Sequence, residues 1–235
     1  NKYQKKIKSF CMKQYTLLSL LLGLVFPLKA QFLRNDGAKI TIGSGSHVKT
    51  GQWTNNDASS QTNLFGSLSL TQNLLNNGVF TGASASTLYF VGSALQNIQG
   101  SNSISLYNMN VNNGANHVSL QNSVTISNLL TLTNGRLISE IAPIFFTSTA
   151  QNTVETNANR IIGTATMQNR AIGTSSLATF LGVSFDGGAD LGNVNFTRYT
   201  GTQGIITNGG NTGIASRWDF TSDNNAARTI NFSWL

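Results

Sequence analysis

Cysteine, proline, histidine and acidic residues are all scarce in these 235 residues, and each shortage removes a class of explanation. The single cysteine, Cys11, lies ahead of an apolar run near the N-terminus, so the remainder has no disulfide, no thiol nucleophile and no thiolate ligand. His47 and His117 are the only histidines, and neither has a second His, Cys or carboxylate at a metal-ligand spacing. Surface or corner positions are expected for both. No Gly-x-Ser-x-Gly elbow accompanies the many serines, which leaves a Ser-His-Asp triad unsupported. Up to residue 173 the acids are Asp36, Asp57, Glu140 and Glu155, too far apart in sequence to argue for the paired carboxylates of a glycan-cleaving β-helix. No cofactor motif is present.

The formal charge of +7 suggests a polyanionic partner until the charges are located. Lys2, Lys5, Lys6, Lys8, Lys13 and Lys29 all precede Gln31, and no acid does. From Gln31 onward nine cations face eight acids, and nucleic acid is not expected as a partner. Met12 to Ala30, MKQYTLLSLLLGLVFPLKA, has a basic start, an apolar run from Leu17 to Phe26, and Leu28-Lys29-Ala30 ahead of Gln31. That is the layout of a secretory signal, with cleavage expected between Ala30 and Gln31. The run is about ten residues, against the ~20 a transmembrane helix needs, and no membrane span is expected in the mature chain. Residues 1–11 read as an upstream extension that is not native. The expected partner at this stage is the secretion machinery, and the expected location is outside the cell or on its outer surface.

From Gln31 onward Asn, Thr, Ser and Gly alternate with single aliphatics, and Pro143 is the only proline. Helix formers are sparse, and the pattern calls for β-structure almost throughout. Leu68-Ser69-Leu70 and Ile104-Ser105-Leu106 are each followed at the same offset by Asn-Gly, at Asn77-Gly78 and Asn113-Gly114. Val124-Thr125-Ile126, Leu130 and Leu132 lead in the same way to Asn134-Gly135. The spacing suits coils of about 20 residues. One such unit offers about four inward aliphatics at about 1.5–3 kcal/mol each. Ordering its backbone costs about 1–2 kcal/mol for every residue, so one unit cannot fold alone. Stacked units share a core, with Asn-Gly expected at corners because both residues tolerate positive φ. Leu129 interrupts the alternation and is expected at a bend between two strands, as are Leu74-Leu75 and Met109. The expected fold is all-β, a parallel β-helix over residues 31–173 followed by a β-sandwich-like module over 174–235. The alternative is a β-sandwich throughout.

The run GSALQNIQGSNSISLYNMNVNNGANHVSLQNSVTISNLLTLTNGRL, Gly92 to Leu137, resembles the repeat region of large secreted surface proteins of Bacteroidetes, many of them exported by type IX secretion. The resemblance continues through ETNANRIIGTATMQNRAIG and through Phe180 to Phe220. It implies an adhesin-like surface module, with a sorting domain expected beyond Leu235, so that the chain reads as a fragment.

Among candidate sites, Asp186 and Asp190 flank flexible glycines and form the best cation candidate, with a solvated turn as the default. Trp53, Tyr89, Phe90, Tyr107, Trp218 and Trp234 would serve a glycan if exposed in a row, but their scatter suits core and capping roles. Arg198, Arg217 and Arg228 give a basic bias too sparse for a nucleic-acid groove. The asparagines are expected to stack as ladders at equivalent corners. Thr125, Thr131 and Thr133 share a parity, but that row does not recur in the other units, which argues against ice binding. The functional expectation is a non-catalytic, exported module presenting a rigid solenoid, with an extracellular glycan or surface as partner. A carbohydrate-binding or carbohydrate-active β-helix is the alternative.

Overall fold

The computed structural model describes residues 32–205, 207, 208, 211, 212 and 215–233. The segment expected to be a secretory signal, its Ala30/Gln31 junction and Trp234 lie outside the described residues.

Ten short strands come first: β1 Phe32–Asn35, β2 Lys39–Ile42, β3 His47–Thr50, β4 Gln52–Asn55, β5 Gln61–Leu64, β6 Ser67–Leu70, β7 Leu74–Asn76, β8 Val79–Gly82, β9 Thr87–Phe90 and β10 Gln96–Gln99. Three long strands follow, β11 Ile104–Leu120, β12 Val124–Phe146 and β13 Ile161–Ile172. The rest comprises β14 Leu177–Phe180, β15 Val183–Phe185, β16 Gly192–Thr200, a 3₁₀ turn Gly201–Gly204, β17 Thr207–Asn208, β18 Asn211–Thr212, β19 Ser216–Ser222 and β20 Ile230–Phe232.

Pairing through β12 is parallel and runs between successive coils, which makes this region a β-solenoid; the stack has about six turns. Hairpins would have given antiparallel neighbours, so the sandwich alternative fails here. Three ladders define three faces. The first runs β1-β4-β7-β10 and then through the C-terminal part of β11, Arg136 to Ile138 of β12 and the start of β13. The second runs β2-β5-β8 into Ile104 to Leu106 and Val124 to Ile126. The third runs β3-β6-β9 into Asn108 to Val111 and Leu129 to Leu132. Phe32 lies opposite Gln52, Trp53 opposite Leu74, and Leu74 opposite Ile98, steps of 20, 21 and 24 residues. The uneven step is absorbed in the corners.

Alternation sets what fills the stack. Leu68, Leu70, Leu88, Phe90, Met109, Val111, Leu130 and Leu132 point inward on the third face and are all buried. Val124 and Ile126 do the same on the second. Each aliphatic meets its counterpart in the coils before and after, so burial is shared along the stack rather than completed within one coil.

Two sequence expectations need correction. Asn113-Gly114 and Asn134-Gly135 do occupy the same corner, between the third and first faces, but Asn77-Gly78 lies between the first and second. Leu68-Ser69-Leu70 belongs to the third face while Ile104-Ser105-Leu106 belongs to the second, so matching them by pattern sets the two units one face out of phase. All three faces present the same in-out alternation, and local pattern does not distinguish them. Positive φ also explains only Gly135, at φ 94°. Gly78 and Gly114 serve close approach instead: a Cβ on Gly78 would sit 2.1 Å from the Ser60 carbonyl oxygen, and one on Gly114 2.0 Å from Asn134 Nδ2.

Leu129 opens the third face of its coil, directly after a register shift opposite Leu106 to Asn108. The bend is a bulge at Ser127-Asn128 within the continuous strand β12, and Leu129 itself is half-buried. Met109 is buried opposite Leu130 on that face, whereas Leu74-Leu75 lies on the first.

Beyond Phe146 the pairing changes. β13 pairs in parallel with β12 on one side and antiparallel with β16 on the other, and β16 pairs antiparallel with β19. β14, β15 and β20 form a second antiparallel sheet. Phe146, Phe180, Phe196, Phe220, Phe185 and Phe232 link solenoid and both sheets through ring contacts with centroids 5.4–6.4 Å apart. The β-rich module is therefore seated on the last coil, and β13 belongs to both parts.

Candidate functional site

The polar residues inside the solenoid are structural. Asn35, Asn55 and Asn76 occupy the same position of successive coils, all buried, with Asn35 Nδ2 donating to Asn55 Oδ1 (3.3 Å) and Asn55 Nδ2 to Asn76 Oδ1 (2.9 Å). The expected asparagine ladder exists at equivalent positions of successive coils, and in the third of them it uses Asn76 rather than the adjacent Asn77-Gly78. A second ladder runs at the corner of the second and third faces, where Asn128 donates to Asn108 (2.7 Å) and Gln151 to Asn128 (2.9 Å).

The carboxylates of the solenoid part each have their own partner. Asp36 pairs with Arg34, Glu140 accepts from Thr202, and Glu155 pairs with Arg198. Asp57 accepts from the Ser59 hydroxyl (2.7 Å), the Ser59 N–H (2.9 Å) and the Ser60 N–H (3.0 Å). These bonds, the Ser59 hydroxyl foremost, hold its carboxyl below the ordinary 3.8. A carboxyl whose pKa is lowered by folding adds stability above its unfolded value and loses it as pH falls through the folded one. Asp57→Asn should therefore lower the melting temperature at pH 7, and the gap from wild type should close as both are acidified below about pH 4. A gap of equal size at pH 2 and pH 7 would show that the charge is not what Ser59 and Ser60 recognise.

Asp186 and Asp190 accept hydrogen bonds from different partners. Asp186 Oδ1 accepts from Asn231 Nδ2 (2.9 Å), and Asp190 Oδ1 accepts from the Gly192 N–H (2.7 Å), closing its own turn. The carbonyl oxygens around the loop, those of Gly173, Ser175, Asp186 and Ala189, are taken by the guanidinium of Arg228. This arginine thereby engages carbonyl oxygens that a loop-bound cation would use. Among the described residues no three His, Cys, Asp or Glu side chains cluster as a metal group would.

The candidate aromatics separate by location. Trp53 and Phe90 are core residues, Tyr107 is half-buried at a corner, and Tyr89 stacks with His47 on the third face at 6.3 Å. His47 also bonds to Ser69 (2.9 Å), and His117 sits in the first ladder opposite Arg136. The basic C-terminal residues are engaged too: Arg217 lies over the Tyr199 ring (4.1 Å) and pairs with Asp219.

Trp218 has a different setting. It lines a recess of about 540 Å³ where the last coil meets the antiparallel module, together with Thr153, Glu155, Arg160, Arg198 and Ser216. Its indole N–H donates to the Leu181 carbonyl (3.1 Å), which fixes the ring. Arg198, on β16, meets Glu155, in the segment before β13, as a two-pronged ion pair at 2.5 and 2.9 Å, with both side chains under 10 % exposed. Glu155 Oε1 also accepts the Ile161 N–H (2.7 Å). Two buried polar atoms of this wall have no partner, Arg198 Nε and Thr153 Oγ1. Sequence reasoning marked Trp218 and Arg198 separately and missed that they share a cavity with Thr153, Glu155 and Arg160. Glu155 and Arg198 are 43 residues apart, and the one local hint is an isolated acid in an Asn- and Thr-rich stretch.

Among the described residues, no helix is long and apolar enough to cross a membrane. No protein-family model, no curated protein and no solved structure matches the chain.

Proposed function

We propose that the chain is an exported, non-catalytic surface module in which a stiff β-solenoid carries the antiparallel module at its C-terminal end. The observation that carries this reading is the continuous core: inward aliphatics and the Asn35-Asn55-Asn76 ladder join successive coils, so each coil braces the next. On the second face the row Thr41, Asn63, Thr81, Ser105 and Thr125 is small, polar and uncharged, beside a second exposed row of Lys39, Gln61 and Val79, and neither row carries a carboxylate, which suits a spacer more than a reaction site. The separate engagement of Asp36, Asp57, Glu140 and Glu155 supports the non-catalytic part of the reading. Sequence supports export: the leader ending at Ala30 precedes a chain free of cysteine.

The expected result is a mature N-terminus at Gln31 and loss of the protein from intact cells on brief external protease treatment. Deleting the gene should also reduce attachment of the cells to surfaces. A chain that retains residues 1–30 and resists external protease would overturn export, and unchanged attachment across substrates would overturn the adhesive role.

A further inference from the structure

We infer that the recess between the last coil and the antiparallel module is a binding site for a single carboxylate-bearing sugar unit of the hexuronate class. The cavity of about 540 Å³ falls within the range of small-molecule sites. Its wall is built before any ligand arrives. The Arg198–Glu155 fork is locked by two bonds to each other and by the Ile161 N–H, and Trp218 is fixed through its indole N–H.

A buried polar group without a partner costs free energy that folding does not recover, and this wall contains two, Arg198 Nε and Thr153 Oγ1. Both side chains are more than nine-tenths buried, at 6 % and 3 % exposure. The first is a donor only, and the second both donates and accepts. Both atoms have almost no accessible surface, so a ligand engages them only when their side chains turn slightly toward the recess, and it would then have to offer an acceptor beside a hydroxyl.

Charge selects further. Glu155 is spent on Arg198, while Arg160 lines the same recess and has no ion-pair partner among the described residues. The uncompensated sign is positive, so the acceptor is an anion. Thr179 and Ser216 add hydroxyls around the wall, and the half-buried Trp218 ring supplies the apolar surface on which one side of a pyranose packs. A carboxylate joined to a ring of hydroxyls meets all of these demands, whereas acetate lacks the ring and glucose lacks the anion.

The test is titration of the full chain with glucuronate, galacturonate, glucose and acetate, followed by calorimetry and by tryptophan fluorescence. A uronate is expected to bind with a Kd in about the millimolar range or tighter, at least about tenfold more tightly than glucose or acetate. Arg160→Gln should weaken uronate binding about tenfold or more, and Thr153→Val, which preserves shape, should weaken it by several-fold without changing the melting temperature by more than a few degrees. Three outcomes would each overturn the inference: no uronate binding, equal binding of acetate, or Arg160→Gln and Thr153→Val variants that both bind as wild type does. The titration needs neither export nor attachment, so its failure is separable from failure of the proposed surface role.

Discussion

Glu155→Gln is expected to lower the stability of the chain by about 3–5 kcal/mol, read as a shift in the urea midpoint with tryptophan fluorescence following the module around Trp218. The reasoning starts from burial. Glu155 and Arg198 keep 8 % and 7 % of their side-chain surface, and among the described residues the guanidinium has no other carboxylate partner. The amide of the substituted side chain would keep an oxygen for the Ile161 N–H but would leave the largely buried guanidinium charge uncompensated. Removing both charges has a different consequence, because a buried pair offsets only part of its own desolvation. Glu155→Leu combined with Arg198→Met should recover most of the loss, to within about 1–2 kcal/mol of wild type. If the single variant lost less than about 1 kcal/mol, the pair would be behaving as an exposed one.

The location of this pair explains why it was hidden in the sequence. The solenoid was legible because its determinants are local: Val124, Ile126, Leu130 and Leu132 alternate, and the alternation alone predicts which side chains are buried. Even the bend near Leu129 was visible as a break in parity, although it proved to be a bulge within β12 rather than a gap between strands. Phase was harder. Leu68-Ser69-Leu70 and Ile104-Ser105-Leu106 have the same pattern on different faces, and only pairing between coils separates them. The recess was not legible at all. Thr153 and Glu155 enter from one segment, Arg198 from β16 and Trp218 from β19, and nothing in residue spacing brings these segments together. A further obstacle was the abundance of Asn: in a chain this rich in it, Asn35, Asn55 and Asn76 do not stand out, although they are 20 and 21 residues apart.

That ladder supports the second large prediction. Asn55→Leu is expected to cost about 3–5 kcal/mol despite its similar size and greater apolarity. Asn55 is fully buried and uses both ends of its amide: Nδ2 donates to Asn76 Oδ1 and to the Val79 carbonyl (3.1 Å), while Oδ1 accepts from Asn35 Nδ2 and from the Thr62 hydroxyl (2.8 Å). Leucine would strand the Val79 carbonyl and Asn76 Oδ1 without these donors, each at about 1–3 kcal/mol if water cannot enter. Thr62 also accepts the Trp53 indole N–H (3.0 Å), so its hydroxyl would have to turn and the tryptophan environment would change with it. The substitution should therefore shift Trp53 emission as well as the unfolding midpoint. Asn56→Ala, one residue further and only half-buried, is the control and should stay within about 0.5 kcal/mol, because the ladder bonds join Asn35, Asn55 and Asn76 and do not use its side chain. Equal losses at positions 55 and 56 would mean that asparagine serves backbone conformation at this corner. A loss confined to position 55 would mean that the buried amides join the first three coils, and that the register between coils is held by hydrogen bonds that aliphatic packing alone does not replace.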